Sequence, residues 1–249
     1  MSNILVLGGT TEASALAAAL AARGNDAVLS YAGRVAKPKT QPIPVRIGGF
    51  GGVEGLVRYL SEHRVTHLVD ATHPFAARMS ANTVVAAERA GVAHIALTRP
   101  VWLPVAGDRW TRVADIDAAV AALEGPQRRV MLALGRMHVD AFAEQPQHDY
   151  LLRFVDVPDQ PPGLPRHHLV VDRGPFDVEG DRRLMEAHGI EVVVCKNAGG
   201  TGASAKLHAA RVLGLPIIMI DRPALPARRE VHAVADVMRW LDHGADRGV

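Results

Sequence analysis

Cysteine is almost absent from this sequence, since Cys195 is the only one among 249 residues. A single thiol excludes a disulfide within the chain and any CxxC metal or redox motif, and we expect it to be a small buried hydrophobic residue. Membrane-spanning runs are also missing, because no uninterrupted apolar stretch reaches the roughly 18 residues that a bilayer requires. With no basic region before an apolar segment at the N-terminus, we expect a cytoplasmic protein with no metal site and no membrane contact.

An excess of one charge is missing as well. The 28 lysines and arginines nearly balance the 26 aspartates and glutamates, which gives a formal net charge of +2. This value does not indicate a nucleic-acid surface, although 12 histidines and clustered arginines allow local basic patches. We therefore expect a small anionic ligand and no nucleic-acid partner.

Aromatic residues are scarce at 4%, whereas hydrophobic residues as a whole make up 48% of the chain. Alanine-rich helical segments alternate with short apolar strands, a pattern typical of crossover connections and parallel sheets. The succession of helix, glycine and strand recurs at Gly24, Gly91, Gly189 and Gly214. We therefore predict an α/β fold with two doubly wound domains, and prolines and a glycine place their boundary near residues 100–107.

A glycine pair follows the first predicted strand. The four apolar residues Ile4–Leu7 precede Gly8 and Gly9, and a helix that Thr10 or Thr11 can cap comes next. A strand, a glycine turn and a helix N-terminus aim free N–H groups and the positive dipole end at one point, which is how phosphate is commonly bound. The loop is therefore a candidate nucleotide site, although a threonine and an alanine replace two glycines of G-x-G-x-x-G. A simple tight turn is the alternative.

A second glycine-rich loop competes for the same role. Residues 196–206 follow a strand and open a helix, and Gly200, Gly202 and Ala205 fit G-x-G-x-x-A. Asp221 follows about twenty residues later, where an acidic side chain binds a ribose in dinucleotide folds. The neighbourhood is nevertheless cationic for an adenosine pocket. The sequence pattern leaves both loops as candidates for the dinucleotide site.

The end of the second predicted strand indicates which dinucleotide is used. An acidic residue there bonds the ribose 2′-OH of NADH, whereas an arginine nearby serves the 2′-phosphate of NADPH. This chain offers Ser30 and Arg34, with no aspartate or glutamate in the loop that follows the strand. The pattern favours NADPH, and the alternative is that Arg34 is a solvated surface residue.

Polar residues also follow the strand predicted at 66–69. In the run Asp70–Ala76, Pro74 suits the first position of a helix, so we expect Thr72 or His73 to be the N-cap. Ligands of open α/β sheets bind at the carboxyl ends of the strands. Thr72 and His73 are therefore candidate ligand contacts, and the alternative is a purely structural capping role.

Taken together, these motifs resemble the precorrin-6A reductase family of cobalamin biosynthesis, over essentially the full length of the chain. The turn at Leu134-Gly135-Arg136 departs from the hydroxyl-rich Thr-Gly turn expected there. The matching segments are Gly8–Glu12, Gly33-Arg34, Asp70–Ala76, Arg99–Trp102, Arg153, Gly174–Phe176, Lys196–Gly200, Lys206 and Arg222-Pro223.

The resemblance implies two Rossmann-like domains with a cleft between them. Residues 1–103 would bind NADPH and residues 104–249 a tetrapyrrole, and a hydride would reduce precorrin-6A to precorrin-6B. It also implies a transient contact with the next enzyme of the pathway. The implied cofactor-binding residues, with the glycine pair as the diphosphate site, are Gly8, Gly9, Thr10, Thr11, Glu12, Ser30, Gly33, Arg34, Ala71, Thr72 and His73.

A precorrin carries acetate and propionate arms, and basic side chains can meet each of them with a contact worth about 1.5 to 3 kcal/mol. We assign no catalytic residue, because the proton that accompanies the hydride can come from water, the macrocycle nitrogens or His73. Two alternatives stay open, a cobalt-precorrin-6A reductase and a non-catalytic NADP-sensing module. The predicted substrate-binding residues are Arg99, Arg136, Arg153, Lys196, Lys206 and Arg222, with His73 and Asn197 nearer the reacting edge.

Overall fold

The computed structural model describes residues 2–32, 40–158, 160–172, 174 and 176–245. Gly33 and Arg34, two of the predicted cofactor-binding residues, lie outside the described residues. Strands and helices alternate over much of the described chain, as the sequence pattern predicts, although some strands follow one another directly. Within this part of the chain, no helix is both long and apolar enough to cross a membrane.

The described residues form twelve strands and seven α-helices. The strands are β1 (Asn3–Leu7), β2 (Asp26–Tyr31), β3 (Val45–Ile47), β4 (His67–Asp70), β5 (Ala93–Leu97), β6 (Arg109–Val113), β7 (Arg129–Ala133), β8 (Asp149–Phe154), β9 (His167–Val171), β10 (Val192–Lys196), β11 (Pro216–Ile220) and β12 (Glu230–Val231). The helices are α1 (Thr11–Ala22), α2 (Gly52–Glu62), α3 (Ala77–Ala90), α4 (Ile116–Ala121), α5 (Val178–Ala187), α6 (Ala205–Val212) and α7 (Val234–Ala245).

The strands build two sheets of six strands each, in the orders β12–β5–β4–β1–β2–β3 and β6–β11–β10–β7–β8–β9. All pairings between the described strands are parallel, which confirms the predicted fold class. The central strands are buried on both faces, and this explains why β1 and β10 are continuous apolar runs in the sequence.

The chain divides into two units, Met1–Arg99 with Ala224–Val249, and Pro100–Pro223. The predicted domains 1–103 and 104–249 are therefore wrong for the C-terminal segment, which returns to the first unit. There β12 pairs with β5, and Val237 and Leu241 of α7 join the core around β1 and α1. A strand of two residues has no apolar pattern, so the sequence did not reveal which sheet it joins.

Each face of the first sheet has its own hydrophobic core. Ile4 and Val6 of β1 pack into one cluster with α1 and α7. Leu5 and Leu7 point to the opposite face and pack with α2 and α3. This alternation follows from the two-residue period of a strand, and it fixes α1 against the sheet next to the loop that follows β1.

The second unit has a core built from β7, β8, β10, β11 and the helices α5 and α6. Cys195 lies in this core and is completely buried, as the sequence predicted. Burial raises the pKa of its thiol to about 11. Because a thiol with such a pKa is almost entirely protonated at neutral pH, Cys195 acts as a hydrophobic residue and not as a nucleophile.

Candidate functional site

The loop that follows β1 leads directly into α1, and Thr10 is the N-cap of that helix. Its side-chain oxygen accepts a hydrogen bond from the Ala13 N–H at 3.1 Å. The same hydroxyl donates to the carbonyl oxygen of Ala71 at 2.8 Å. Thr10 therefore caps the helix and joins the loop after β1 to the loop after β4.

Gly8 and Gly9 are needed here for two different reasons. A Cβ on Gly8 would lie 2.6 Å from Leu29 Cδ1, so a side chain at this position would clash with β2. Gly9 has a φ of +124°, which other residues rarely adopt, and a Cβ there would meet open space. Among the described residues, none accepts a hydrogen bond from the N–H groups of Gly9 or Thr10. Two N–H donors without a described acceptor at a helix N-terminus form a site suited to a phosphate.

Arg99 closes one side of this loop. Its guanidinium pairs with the Glu12 carboxylate at 2.8 Å and donates to Thr11 Oγ1 at 3.0 Å. Burial raises the pKa of Glu12, but the hydrogen bond and the charge of Arg99 outweigh that effect, so the pKa lies below its usual value. The first turn of α1 is thus held by an ion pair. The substrate contact predicted for Arg99 stays a prediction.

Asp70 ends β4 as a buried carboxylate that accepts four hydrogen bonds. Its Oδ1 accepts from the Thr72 N–H at 3.1 Å and from the Thr72 hydroxyl at 2.6 Å. Its Oδ2 accepts from the Ser80 hydroxyl at 2.6 Å and from Arg228 Nη1 at 2.7 Å. Asp70 therefore fixes the loop after β4 to α3 and to the C-terminal segment of the first unit.

The loop after β4 differs from the predicted capping arrangement. Thr72 or His73 was expected to cap the next helix, and this is wrong, because α3 begins at Ala77 with Ala76 at the N-cap position. Local hydrogen bonds explain the difference: Thr72 bonds to Asp70, and the Phe75 N–H donates to His73 Nδ1 at 3.2 Å. With Nδ1 as an acceptor, the neutral ring of His73 carries its proton on Nε2.

Sequence reasoning assigned no role to Asp70 or Arg228. A signal for Asp70 exists, because an aspartate at the end of a strand commonly bonds to the backbone two residues further on. No local signal identifies Arg228, which reaches Asp70 across 158 residues of sequence. Its importance depends on the return of the chain to the first sheet, which only the structure reveals.

The second unit has a glycine loop at residues 197–204, between β10 and α6. Lys196 ends β10, and burial lowers the pKa of its ammonium group to about 8. Asn197 is buried, and its amide accepts from the Trp102 N–H at 2.8 Å and donates to the Trp102 carbonyl at 3.0 Å. Asn197, which the sequence places near the reacting edge, thus binds another segment of the same unit.

Gly199 and Gly200 of this loop lie close to other parts of the same unit. Gly199 has a φ of +72°, and a Cβ there would lie 2.2 Å from the Pro100 carbonyl oxygen and 2.4 Å from Arg222 Nη2. The Gly200 carbonyl accepts from the Trp102 indole at 2.7 Å. Arg222 donates to the carbonyl oxygens of Asn197 and Ala198 at 3.0 and 3.1 Å. Protein groups therefore fill the space beside Gly199 and Gly200, whereas a Cβ on Gly202 would meet nothing within 4 Å.

Three further charged side chains lie inside the second unit. Lys206 is buried, donates to the Ala203 carbonyl and lies 4.9 Å from the Trp102 ring centre, and burial lowers its pKa. Arg153 pairs with Asp181, and both side chains are at most 8% exposed. The Asp181 Oδ2 atom has no hydrogen-bond partner among the described residues. The charge of Arg153 is thus compensated within the protein.

The structure groups the predicted residues by unit. Those of the first unit, apart from Gly33 and Arg34, lie around the carboxyl ends of β1, β2, β4 and β5. In the second unit, Lys196, Asn197, Lys206 and Arg222 belong to or border one loop, whereas Arg136 is exposed in a short 3₁₀ helix after β7. Among the described residues, no group of three or more histidine, cysteine, aspartate or glutamate side chains could hold a metal ion.

Comparisons with known proteins agree with this architecture. Residues 3–242 match the family model described as precorrin-6x reductase CbiJ/CobK. A precorrin-6A reductase of Rhodobacter capsulatus is 58% identical over 251 residues, covering all of both chains. A solved structure named CobK precorrin-6A reductase superposes with a TM-score of 0.94 at 56% identity, covering 98% of this chain and 97% of that one. A cobalt-precorrin-6A reductase of Priestia megaterium is 32% identical, covering 89% of this chain and 91% of the relative.

Proposed function

Because this chain belongs to the CbiJ/CobK family of precorrin-6x reductases, we propose that it reduces precorrin-6A to precorrin-6B in cobalamin biosynthesis, with NADPH as the hydride donor. The sequence motifs around the two glycine loops and the run Asp70–Ala76 indicate the same family independently. A relative of 58% identity that is named a precorrin-6A reductase supports the substrate. A cytoplasmic location and a transient contact with the next enzyme of the pathway belong to the same proposal.

The cofactor assignment rests on the pair of N–H groups at the start of α1 that have no acceptor among the described residues. A Cβ on Gly9 would meet open space, and the N–H groups of Gly9 and Thr10 have no described acceptor. We assign the diphosphate of NADPH to this loop, with Thr11 and Glu12 in the adjoining first turn of the helix. Ser30, Gly33 and Arg34 would bind the adenosine ribose and its 2′-phosphate. Ala71, Thr72 and His73, joined to the loop through Thr10, complete the cofactor site.

NADPH, when bound, supplies the hydride, and the protein supplies orientation. The loop after β4 is suited to this task because four donors to Asp70 hold it rigidly. His73 presents Nε2–H as a hydrogen-bond donor, since Nδ1 accepts from the backbone. We assign His73 a contact with the substrate at the reacting edge, and we name no catalytic acid.

The basic residues of the second unit would bind the carboxylate arms of the macrocycle. Arg136 is exposed, so its guanidinium can meet a carboxylate from solvent, and Lys196 is half-buried at the end of β10. Arg153 already pairs with Asp181, and Arg99, which belongs to the first unit, pairs with Glu12. Lys206 and Arg222 shape the glycine loop and add positive charge to it. We therefore propose that Arg136 and Lys196 make the direct contacts, that Lys206 and Arg222 add positive charge near them, and that Asn197 fixes the loop, while Arg153 and Arg99 act within their ion pairs.

Anaerobic incubation with precorrin-6A and each nicotinamide cofactor tests this function. We expect the macrocycle absorbance to show loss of one conjugated double bond with NADPH and a much slower change with NADH. An unchanged spectrum with both cofactors, in a protein that binds NADP⁺, would instead support the non-catalytic sensing module.

Cobalt-precorrin-6A reduction is the second candidate, because a cobalt-precorrin-6A reductase is 32% identical to this chain. The 58% identity to a precorrin-6A reductase favours the metal-free substrate. Competition between the two substrates separates these functions. A kcat/KM at least tenfold higher for precorrin-6A is the expected result, and the reverse ratio would assign the chain to cobalt-loaded rings.

A further inference from the structure

Arg46 of β3 lies directly beside Ser30 of β2. The two parallel strands pair these residues in register, and Arg46 Nη1 donates a hydrogen bond to Ser30 Oγ at 3.2 Å. Ser30 also contacts the first glycine loop, because the Gly8 N–H donates to its carbonyl oxygen at 2.9 Å. Arg46 is therefore part of the edge of the first sheet at which the cofactor site has been proposed.

The guanidinium of Arg46 is held in one position. Besides Ser30, it donates to the carbonyl oxygens of Gly48 and Gly49 at 2.5 and 2.8 Å. Its central carbon lies 3.9 Å from the ring centre of Phe50 and 5.2 Å from that of Tyr59. An arginine that is already ordered loses little side-chain entropy when it binds a ligand.

The charge of Arg46 has no acidic partner among the described residues. The partly buried arginines Arg99 and Arg228 of the same unit pair with carboxylates, but Arg46, also partly buried, forms no ion pair with a described residue. Its three hydrogen bonds leave two of the five guanidinium N–H donors without a described acceptor. These donors are on Nε and Nη2, neighbouring nitrogens that one phosphate can accept from together.

We infer that Arg46 binds the 2′-phosphate of NADPH and makes the protein prefer NADPH to NADH. In dinucleotide-binding folds the ribose 2′ position lies at the end of the second strand, which is where Ser30 stands. An ordered guanidinium that has no acidic partner among the described residues suits a dianionic phosphate, and it gains far less from contact with an uncharged 2′-hydroxyl. The inference rests on the proposed use of NADPH. Arg46 is additional to Arg34, which the sequence indicated. The sequence did not reveal Arg46, because only the strand register brings it next to Ser30.

Calorimetric titration with adenosine 2′,5′-bisphosphate and with 5′-AMP tests the inference, because these probes differ only in the 2′-phosphate. We expect Arg46→Gln to weaken binding of the bisphosphate about 10- to 100-fold and binding of 5′-AMP less than about threefold. Arg46→Lys should fall between Arg46→Gln and the wild type, since lysine keeps the charge but not the fork. Arg58→Gln, which removes an exposed arginine of α2, is the matched control and should change neither affinity.

An equal loss of affinity for both probes in Arg46→Gln, or no loss for either, would overturn this inference and leave the proposed cofactor standing. Arg46 would then only hold Gly48 and Gly49 in place by hydrogen bonds. Arg34→Gln in the same titration shows how the selectivity is shared, and a complete loss there with none at Arg46 would also overturn it. Thermal unfolding of each variant separates a lost contact from a lost fold. If the wild-type protein bound neither probe, the proposed cofactor and this inference would both be wrong.

Discussion

The two glycine loops look alike in sequence and differ in what their glycines accommodate. The loop at 8–10 leaves the N–H groups of Gly9 and Thr10 without described acceptors at the start of α1. In the loop at 197–204, Pro100, Trp102 and Arg222 lie against Gly199 and Gly200, whereas a Cβ on Gly202 would meet open space. The second loop matches the dinucleotide pattern better, yet we assign the diphosphate to the first, where a Cβ on Gly9 would meet open space and the helix N-terminus follows at once. A glycine motif is therefore informative only when the group that fills its space is known.

The largest effect is expected at the buried ion pairs, one in each unit. Arg153→Met leaves Asp181 without any described donor and should lower the free energy of unfolding by about 3 to 5 kcal/mol. Arg228→Met should cost only about 1.5 to 3 kcal/mol, because Asp70 keeps three other donors. Urea denaturation monitored by circular dichroism measures both. Equal losses in the free energy of unfolding would show that Asp70 and Asp181 depend equally on their arginines, which would contradict the expected difference between the units.

Alanine at one glycine of each loop sharpens the comparison. Gly199→Ala combines backbone strain with a clash against the Pro100 carbonyl and should destabilise the protein by about 2 to 5 kcal/mol. Gly9→Ala meets open space, so only strain of about 1 to 3 kcal/mol is expected, together with weaker NADP⁺ binding. Thermal unfolding and NADP⁺ titration check the pair. If Gly199→Ala weakened NADP⁺ binding and Gly9→Ala did not, the roles of the loops would be reversed.

Lys196 should make substrate binding depend on pH. Its ammonium group is charged below a pKa of about 8, so affinity for precorrin-6A should fall as the pH rises through 8 to 9.5. Lys196→Gln should weaken binding about 10- to 100-fold at pH 7 and abolish this dependence. Lys196→Arg should keep tight binding at high pH, because arginine stays protonated. Anaerobic absorbance titrations measure these constants, with the exposed Arg183→Gln as a control. A wild-type affinity that is constant over this pH range would contradict the assignment.

The smallest effect separates the helix caps of the two loops. Thr10 caps α1 with its side chain, whereas Ser204 at the start of α6 makes no such hydrogen bond. Thr10→Ala should therefore cost about 1 kcal/mol and Ser204→Ala clearly less. Differential scanning calorimetry resolves the two values. A larger loss at Ser204 would mean that the second helix, and not the first, depends on its cap.

Much of the fold follows from the sequence, because buried parallel strands such as β1 and β10 are continuous apolar runs. The motifs also identified most of the residues around the first loop. What the sequence lacked is information about pairing. The two-residue β12 carries no pattern, and Arg46 meets Ser30 only through strand register. The environment of Arg153 was equally hidden, because its partner Asp181 lies on a helix whose packing depends on the whole core.

The central claim is that the dinucleotide binds at the N-terminus of α1 and not in the second glycine loop. Backbone amide NMR during an NADP⁺ titration tests it most directly, since each loop reports separately. The amide signals of Gly9 and Thr10 should shift in proportion to the fraction of protein that has bound NADP⁺, while those of Gly200 and Gly202 should stay unchanged. Shifts confined to Gly200 and Gly202 would contradict it.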